Sequence, residues 1–420
     1  MRLASVVTGA LCLAILTTSG TSLGSAFPDL GGRVRLLTAP EFAGRGNGTP
    51  ELDSVADTLV SWLAAAGLEP GYGESWSQEF ELSGVPDGLN TAGRNIAGYW
   101  PGRGRLESEI VVVSAHYDHL GRVEPLAVGL PDSVSYFPGA NDNASGVSVL
   151  FDLVESLTSN SLDQGDRRSV LFVLFGGEEI GLQGSAHFVG QPGFDQGAIN
   201  AVLNFDTVGV ITNNQLYVSG LGSAQPFVEI VAGSENGDLQ LKTTQSIWGG
   251  SDHMSFVSRE IPTLFVFGGP YANYNRTTDT WSNMDRAGFE RVAKFSSSLL
   301  QNMITYSLPI DWQEGFVANE SREIAGDENR DTWFGSLPDF GDEASGYAIG
   351  GVFENSPAER AGLSKGDVLI EMGGRPVAGL VDFTQILRAH NPGDLIEVVV
   401  VRSMTQMRFT VVLGSRQERQ

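Results

Sequence analysis

Ile110-Val111-Val112-Val113-Ser114-Ala115-His116-Tyr117-Asp118-His119 is the stretch on which the reading of this chain turns. Residues 110–115 are a short apolar run rich in β-branched side chains, which reads as a strand buried on both faces. The run ends abruptly in imidazole and carboxylate. Residues 170–175, 201–205 and 261–267 have the same character, and amphipathic segments occupy 144–157 and 287–306. This β–α alternation predicts an α/β fold: a doubly wound, mostly parallel sheet with helices on both faces. In such a sheet a ligand binds beyond the carboxyl ends of the strands.

The residues just past the apolar runs carry the chemistry. Gly176-Gly177-Glu178-Glu179 follows the second run, and Asp206 closes the third. Gly139-Ala140-Asn141-Asp142-Asn143-Ala144-Ser145-Gly146 lies between the first strand and the next helix. Charged groups at the mouth of a buried sheet are costly to desolvate unless they are paired or bound to metal. Imidazole with several carboxylates is a donor set suited to zinc with open positions. Singly, each has a plain alternative. Asp142 could cap the following helix, Glu178-Glu179 could be a solvated turn, and His116 could be a hydrogen-bonded core histidine. Four such sites at one sheet edge favour a shared purpose.

Length and composition set the frame. The 420 residues are 41% hydrophobic and 18% charged, enough for two or three packed domains. Lys and Arg number 26 against 50 Asp and Glu, a formal net charge of −24. That field repels phosphate backbones and anionic lipid, which argues against nucleic-acid and membrane-surface partners. It does not oppose bound cations. Cys12 is the single cysteine, so neither an internal disulfide nor a cysteine-based zinc site is available.

The N-terminus reads as an address. Arg2 precedes an apolar run over 3–16, then small and polar residues to Ala26. This is the layout of a signal peptide over residues 1–26, cleaved before Phe27; an uncleaved anchor is the alternative, but the run is short of the roughly 20 residues of a span. The expectation is a secreted or periplasmic protein with no stable membrane span after cleavage. Residues 33–70 read as helical, with Leu52, Val55, Leu59, Trp62 and Leu63 near one face and Gly67 at the stop. The organisation expected is an α/β domain over 27–310, a polar linker over 311–330 and a β-rich domain over 331–416. The last would have strands at 347–352, 367–371, 395–401 and 408–413 and a helix at 380–389.

At these motifs the sequence resembles the secreted di-zinc exopeptidases typified by bacterial aminopeptidases, with glutaminyl cyclases and glutamate carboxypeptidases as relatives. The resemblance spans roughly 33–305. It rests on 115–121, 139–146, 175–185, 204–209 and Ser251-Asp252-His253. It implies that His116 and Asp206 hold one zinc, Asp142 bridges both, Glu179 holds the second, Glu178 is the general base, and Asp118 orients His116. It also implies peptide substrates with a free N-terminus. The chemistry is coherent in itself: a metal brings the pKa of its water toward ~7, and an adjacent carboxylate can take the proton and return it to the leaving amine.

The chain departs from that family at one position. Where the family has a final histidine ligand in Tyr-His-x-x-x-Asp-Thr, this chain has Tyr274-Asn275-Arg276-Thr277-Thr278-Asp279-Thr280. An amide oxygen is a weaker zinc donor than imidazole. Three readings stand open: Asn275 coordinates a weakly held second zinc, the enzyme runs on one zinc, or the site is catalytically impaired and the protein binds peptides instead. His253 is a candidate substitute ligand or a substrate-facing residue. His119, His187 and His390 read as structural or exposed. A cyclase reaction is the weakest alternative, because glutaminyl cyclases keep the histidine missing here.

Residues 331–416 resemble a PDZ domain of the bacterial, protease-associated kind, through Ser356-Pro357-Ala358-Glu359-Arg360-Ala361-Gly362-Leu363, 365–370 and Asn391-Pro392-Gly393-Asp394. The resemblance implies that Phe334-Gly335-Ser336-Leu337 receives a peptide C-terminus or a protein partner, the peptide adding a strand to the sheet edge. A PDZ fold used only for packing is the alternative.

Overall fold

The computed structural model describes residues 27–415 except 87, 123–135, 160–164, 191–197, 248–249, 317–331, 339–345, 354, 378, 380–381, 384–385, 388 and 404. Residues 1–26, read as a signal peptide from the sequence, lie outside the described residues.

The first domain opens with α1 (Leu30–Leu37) and α2 (Pro50–Ala65). Asp29 caps α1 by accepting the Gly32 N–H, and Thr49 caps α2 with Pro50 at its first position. The predicted α2 face is buried, and Gly67, at φ +80°, follows its end. The strands are β1 (Glu69–Pro70), β2 (Ser77–Glu81), β3 (Ala92–Trp100), β4 (Ile110–His116), β5 (Ser169–Phe175), β6 (Ile199–Asp206), β7 (Gln215–Ser219), β8 (Gln240–Thr243) and β9 (Thr263–Phe267). They form one sheet in the order β1-β3-β5-β4-β6-β9-β7-β8, with β2 also on β3. The four runs read from the sequence are its parallel centre, β5-β4-β6-β9. The flanks are antiparallel: β3 on β5, and β7 on β9. The sheet is therefore mixed, with the expected parallel order confined to the strands that carry the site.

The period-two pattern of the central strands builds two cores. Val111, Val113 and Ala115, Val170, Phe172 and Leu174, and Ala201, Leu203 and Phe205 face one layer, formed by α1, α2, α3 (Gly146–Ser159) and α7 (Arg286–Thr305). Ile110, Val112, Leu171, Val173, Phe175 and Val202 face the other, where α4 (Gln183–Gly190) and α6 (His253–Val257) supply Phe188 and Phe256. α5 (Pro226–Ala232) joins the first layer through Phe227 and Ile230. Residues 311–316, read as the start of the linker, dock on this domain. Trp312 and Phe316 pack on Ile247, Val257 and Phe265, and the Gln313 N–H donates to Ser223 O at 2.8 Å.

The second domain is β-rich, as predicted. β10 (Thr332–Trp333) pairs with β17 (Gly414–Ser415). A separate sheet runs β11 (Ser336–Pro338), β12 (Tyr347–Val352), β13 (Val368–Met372), β15 (Leu395–Arg402) and β16 (Thr405–Val412), with β14 (Arg375–Pro376) also on β13. Ser356 caps the short α8 (Pro357–Arg360), and Asp367 holds Arg402 through two contacts of 2.6 and 2.7 Å. Within the helix expected at 380–389, Asp382, Phe383, Ile386 and Leu387 are helical; 380–381, 384–385 and 388 lie outside the described residues. No described helix is long and apolar enough to cross a membrane.

Candidate metal centre

Strand register puts the predicted residues at one edge. Ser114 pairs with Asn204, so His116 and Asp206, each two residues on, leave β4 and β6 at the same level. His116 pairs with Phe175, so Glu178 and Glu179 follow in the turn after β5. Asp142 comes from the loop before α3. Asn141, Asn143 and Ser145 strap that loop to the end of β6: their side chains accept from Gly209 N, Thr207 N and Val208 N at 2.6, 3.2 and 2.9 Å. Gly139, at φ +61°, is required here, because a Cβ would lie 2.2 Å from Asp142 O and 2.4 Å from the His119 ring.

Three groups of donors result: His116, Asp142 and Asp206; His119, Asp142 and Glu179; and His116, Glu178 and Glu179, the atoms within each group lying within 4.8 Å of one another. Asp142 belongs to the first two. His116 Nε2 lies 3.4 Å from Asp142 Oδ1, 3.6 Å from Asp206 Oδ1 and 4.0 Å from Glu178 Oε2. A tetrahedral zinc sets its donors about 3.3–3.5 Å apart, so the first group has the spacing of a metal cradle. Asp206 Oδ1 is buried without a hydrogen-bond partner, as a donor awaiting a cation would be.

The electrostatics point the same way. Burial, with repulsion from Glu179 and Asp206, lifts Glu178 well above the usual carboxylate range. Burial, with Asp118 and Asp206, raises Glu179 to about 8, and burial with Glu179 raises Asp142 to about 6. Burial alone would lower His116, but Glu178 and Asp206 hold it well above its ordinary value. Such a cluster is unstable as a set of bare charges and is relieved by a divalent cation. Its nitrogen and oxygen donors fit zinc.

A second set of residues holds the first. Asp118 is fully buried. Its backbone carbonyl lies 3.2 Å from His116 Nδ1, while its carboxylate stands 3.7 Å away. That carboxylate instead accepts the backbone N–H groups of Glu178 and Glu179, both at 3.2 Å, and Asn47 Nδ2 at 2.6 Å. It fixes the turn that presents the two glutamates. The buried Arg45 guanidinium donates to Tyr117 O, Leu37 O, Pro138 O and Gly139 O at 2.7–3.0 Å, and burial lowers its pKa to about 10. Asp279 accepts from Asn141 N and Asp142 N and from the Tyr271 hydroxyl. Sequence reasoning gave no role to Arg45 or Asn47, and matched Asp279 only as part of a frame.

Two expectations need correction. His119 was expected to be structural or exposed; it is buried inside the second donor group, with Nδ1 2.6 Å from Glu179 Oε1. His253, read as a substrate-facing residue or a substitute ligand, is buried in α6 with its ring stacked on Phe265 at 4.0 Å, and it falls in none of the three groups. The neighbouring Asp252 is lifted by burial to about 7 and adds to the field on Glu178. Asn275 is half-buried in a left-handed conformation, and its Oδ1 is buried with no hydrogen-bond partner. Tyr274 before it, 37% exposed, is held above its usual pKa by desolvation first and then by the nearby Asp142 and Glu179 carboxylates. His187 stacks on Phe80, and His390 Nδ1 lies 2.8 Å from Ile386 O; both are half-buried structural residues.

An α/β domain with paired carboxylate–histidine groups beyond its parallel strands is of the zinc-exopeptidase type. Comparison with known proteins gives the family: residues 95–300 match peptidase family M28 and residues 336–413 match the PDZ domain, so this chain carries an M28 peptidase domain followed by a PDZ domain. Aminopeptidase YwaD of Bacillus subtilis is 28% identical over 242 residues, 55% of this chain and 48% of that protein. Leupeptin-inactivating enzyme 1 of Streptomyces exfoliatus is 25% identical over 272 residues, 64% of this chain and 54% of that protein. The chain thus spans about half the length of these two relatives. The solved structure of BSAP, a zinc aminopeptidase from Bacillus subtilis, shares the fold at 17% identity, with a TM-score of 0.52 over 68% of this chain and 97% of that one.

Proposed function

We propose that this protein is an exported zinc-dependent aminopeptidase that removes N-terminal residues from peptides, with the PDZ domain recruiting a peptide C-terminus or a protein partner. The observation that carries the reading is a cradle of His116, Asp142 and Asp206 with Glu178 Oε2 4.0 Å from His116 Nε2. His116, Asp142 and Asp206 would hold one zinc, and Asp142 and Glu179 would contribute to a second. Bound there, the metal supplies Lewis acidity that acidifies water and polarises the scissile carbonyl. Glu178 is the general base. Its burial and carboxylate neighbours raise its basicity, and the proton it takes from water would pass to the departing amine. Asp118 acts by positioning, through the backbone of Glu178 and Glu179.

Support for the PDZ role comes from β11, which ends its sheet, and from Gly335, at φ +84°, in the turn before it. That edge is where an added peptide strand would pair. Export rests on the layout of residues 1–26; a mature chain beginning at Phe27 would bear it out.

The test is release of N-terminal residues from a peptide panel by the zinc-loaded full chain. Glu178→Gln should lower turnover by about 10²–10⁴-fold with metal still bound. Undiminished turnover would remove the role of Glu178. Asn275 favours a second reading, a peptide-binding protein with an impaired site. Zinc bound at full occupancy with no release from any peptide, before and after Asn275→His, would establish that reading instead.

A further inference from the structure

We propose that His119 ligates the second cation, in the place that an asparagine at 275 leaves open. The inference rests on the metal-dependent reading above and names a donor that reading lacked.

Two observations converge. One ring nitrogen of His119 lies within 4.8 Å of a carboxylate oxygen of both Asp142 and Glu179, which makes a three-donor group sharing Asp142 with the first cradle. The ring is not a satisfied core histidine. Nδ1 meets Glu179 Oε1 at 2.6 Å, but Nε2 is buried with no hydrogen-bond partner.

The backbone holds the ring in place. The His119 N–H donates to Arg45 O at 2.9 Å, and Gly46 bridges to His119. Arg45 in turn grips Gly139 O, in the loop that presents Asp142. His119 and Asp142 are thus fixed to one buried guanidinium. Seating a cation opens the 2.6 Å contact to the roughly 3.3 Å edge of a tetrahedral donor set. The set of His119, Asp142 and Glu179 then matches the first group: one imidazole, the shared aspartate and one further carboxylate. Asn275 offers only a neutral amide oxygen, a poorer zinc donor than imidazole.

The alternative is that His119 only orients Glu179 by a hydrogen bond. Removing a partner of that kind weakens metal binding by about 10–100-fold; removing a ligand should exceed that range. Zinc stoichiometry and affinity of the full chain, by elemental analysis and calorimetric titration, separate the two. The wild type should bind two equivalents. His119→Ala should keep the first, which also reports a folded site, and weaken the second by more than ~100-fold. His119→Asn retains a donor toward Glu179 and should still lose the second equivalent. Asn275→Ala should keep both. Two tight equivalents in His119→Ala or His119→Asn, or loss of the second in Asn275→Ala, would overturn the assignment while leaving the peptidase reading intact. A single equivalent in the wild type would do the same. No zinc in the wild type would overturn both.

Discussion

Asp279 Oδ2 accepts the backbone N–H of Asp142 at 3.1 Å, across 137 residues of chain. The same carboxylate accepts the Asn141 N–H, so the loop is gripped from behind and the Asp142 side chain is left for the site. Asp279→Asn keeps the shape but halves the acceptor capacity in a buried position. We expect zinc affinity to fall about 10–100-fold, as for other supports of a ligand, read by competition with a chromogenic chelator. Unchanged affinity would mean that the loop is held by its asparagine straps alone.

Arg45 is expected to be structural to an unusual degree. Its replacement by Met takes a donor from four buried carbonyls, of which Gly139 O keeps the Ala144 N–H, at a cost of about 3–5 kcal/mol. Arg45→Lys should recover only part, because an ammonium has three donors and no planar fork. Urea midpoints of the two variants check this.

The metal-free protein should weaken as pH rises from about 6.5 to 8. Glu178 and Glu179 have folded pKa values above the unfolded value near 4, so in that window the folded chain binds more protons than the unfolded one, and stability declines with pH. His119, lowered to about 4, works in the opposite sense only below about 6.5. The loss expected is about 1–3 kcal/mol, seen as a falling Tm in chelator and reversed by zinc. A Tm rising across the window would contradict the uncompensated cluster.

The domain boundary can be located by truncation. A chain ending at residue 316 keeps Trp312 and Phe316 on their apolar pocket, whereas one ending at 310 uncovers Ile247, Val257 and Phe265. The shorter chain should be less stable by about 2–4 kcal/mol, the scale of burying two aromatic side chains. Equal melting temperatures would place 311–316 outside the folded unit.

The sequence carried the parallel centre of the sheet because each strand there is buried on both faces and reads as an unbroken apolar run. β3 escaped notice: Gly93, Arg94, Asn95 and Gly98 dilute its pattern, and Asn95 Nδ2 spends its polarity inside, on Gly184 O and Gln78 Oε1. His116, Asp142, Glu178, Glu179 and Asp206 were legible because each ends a strand, follows one in a short turn or lies in the loop before a helix. His119 was not. Its neighbours in sequence say nothing about where the chain turns, and its place is set by a backbone bond to Arg45. Apart from Leu37 O, the carbonyls and carboxylate that Arg45 and Asn47 hold are 71–94 residues away, a relationship without local periodicity.

The reach of these supports has a consequence for how the protein is made. Arg45 and Asn47 emerge early during synthesis, and apart from Leu37 O their partners come only with Tyr117, Asp118 and Gly139; the loop carrying Asp142 gains its rear anchor only when Asp279 arrives. A nascent chain halted anywhere before residue 279 lacks that anchor. Full metal affinity is therefore expected only of a chain that has reached residue 279.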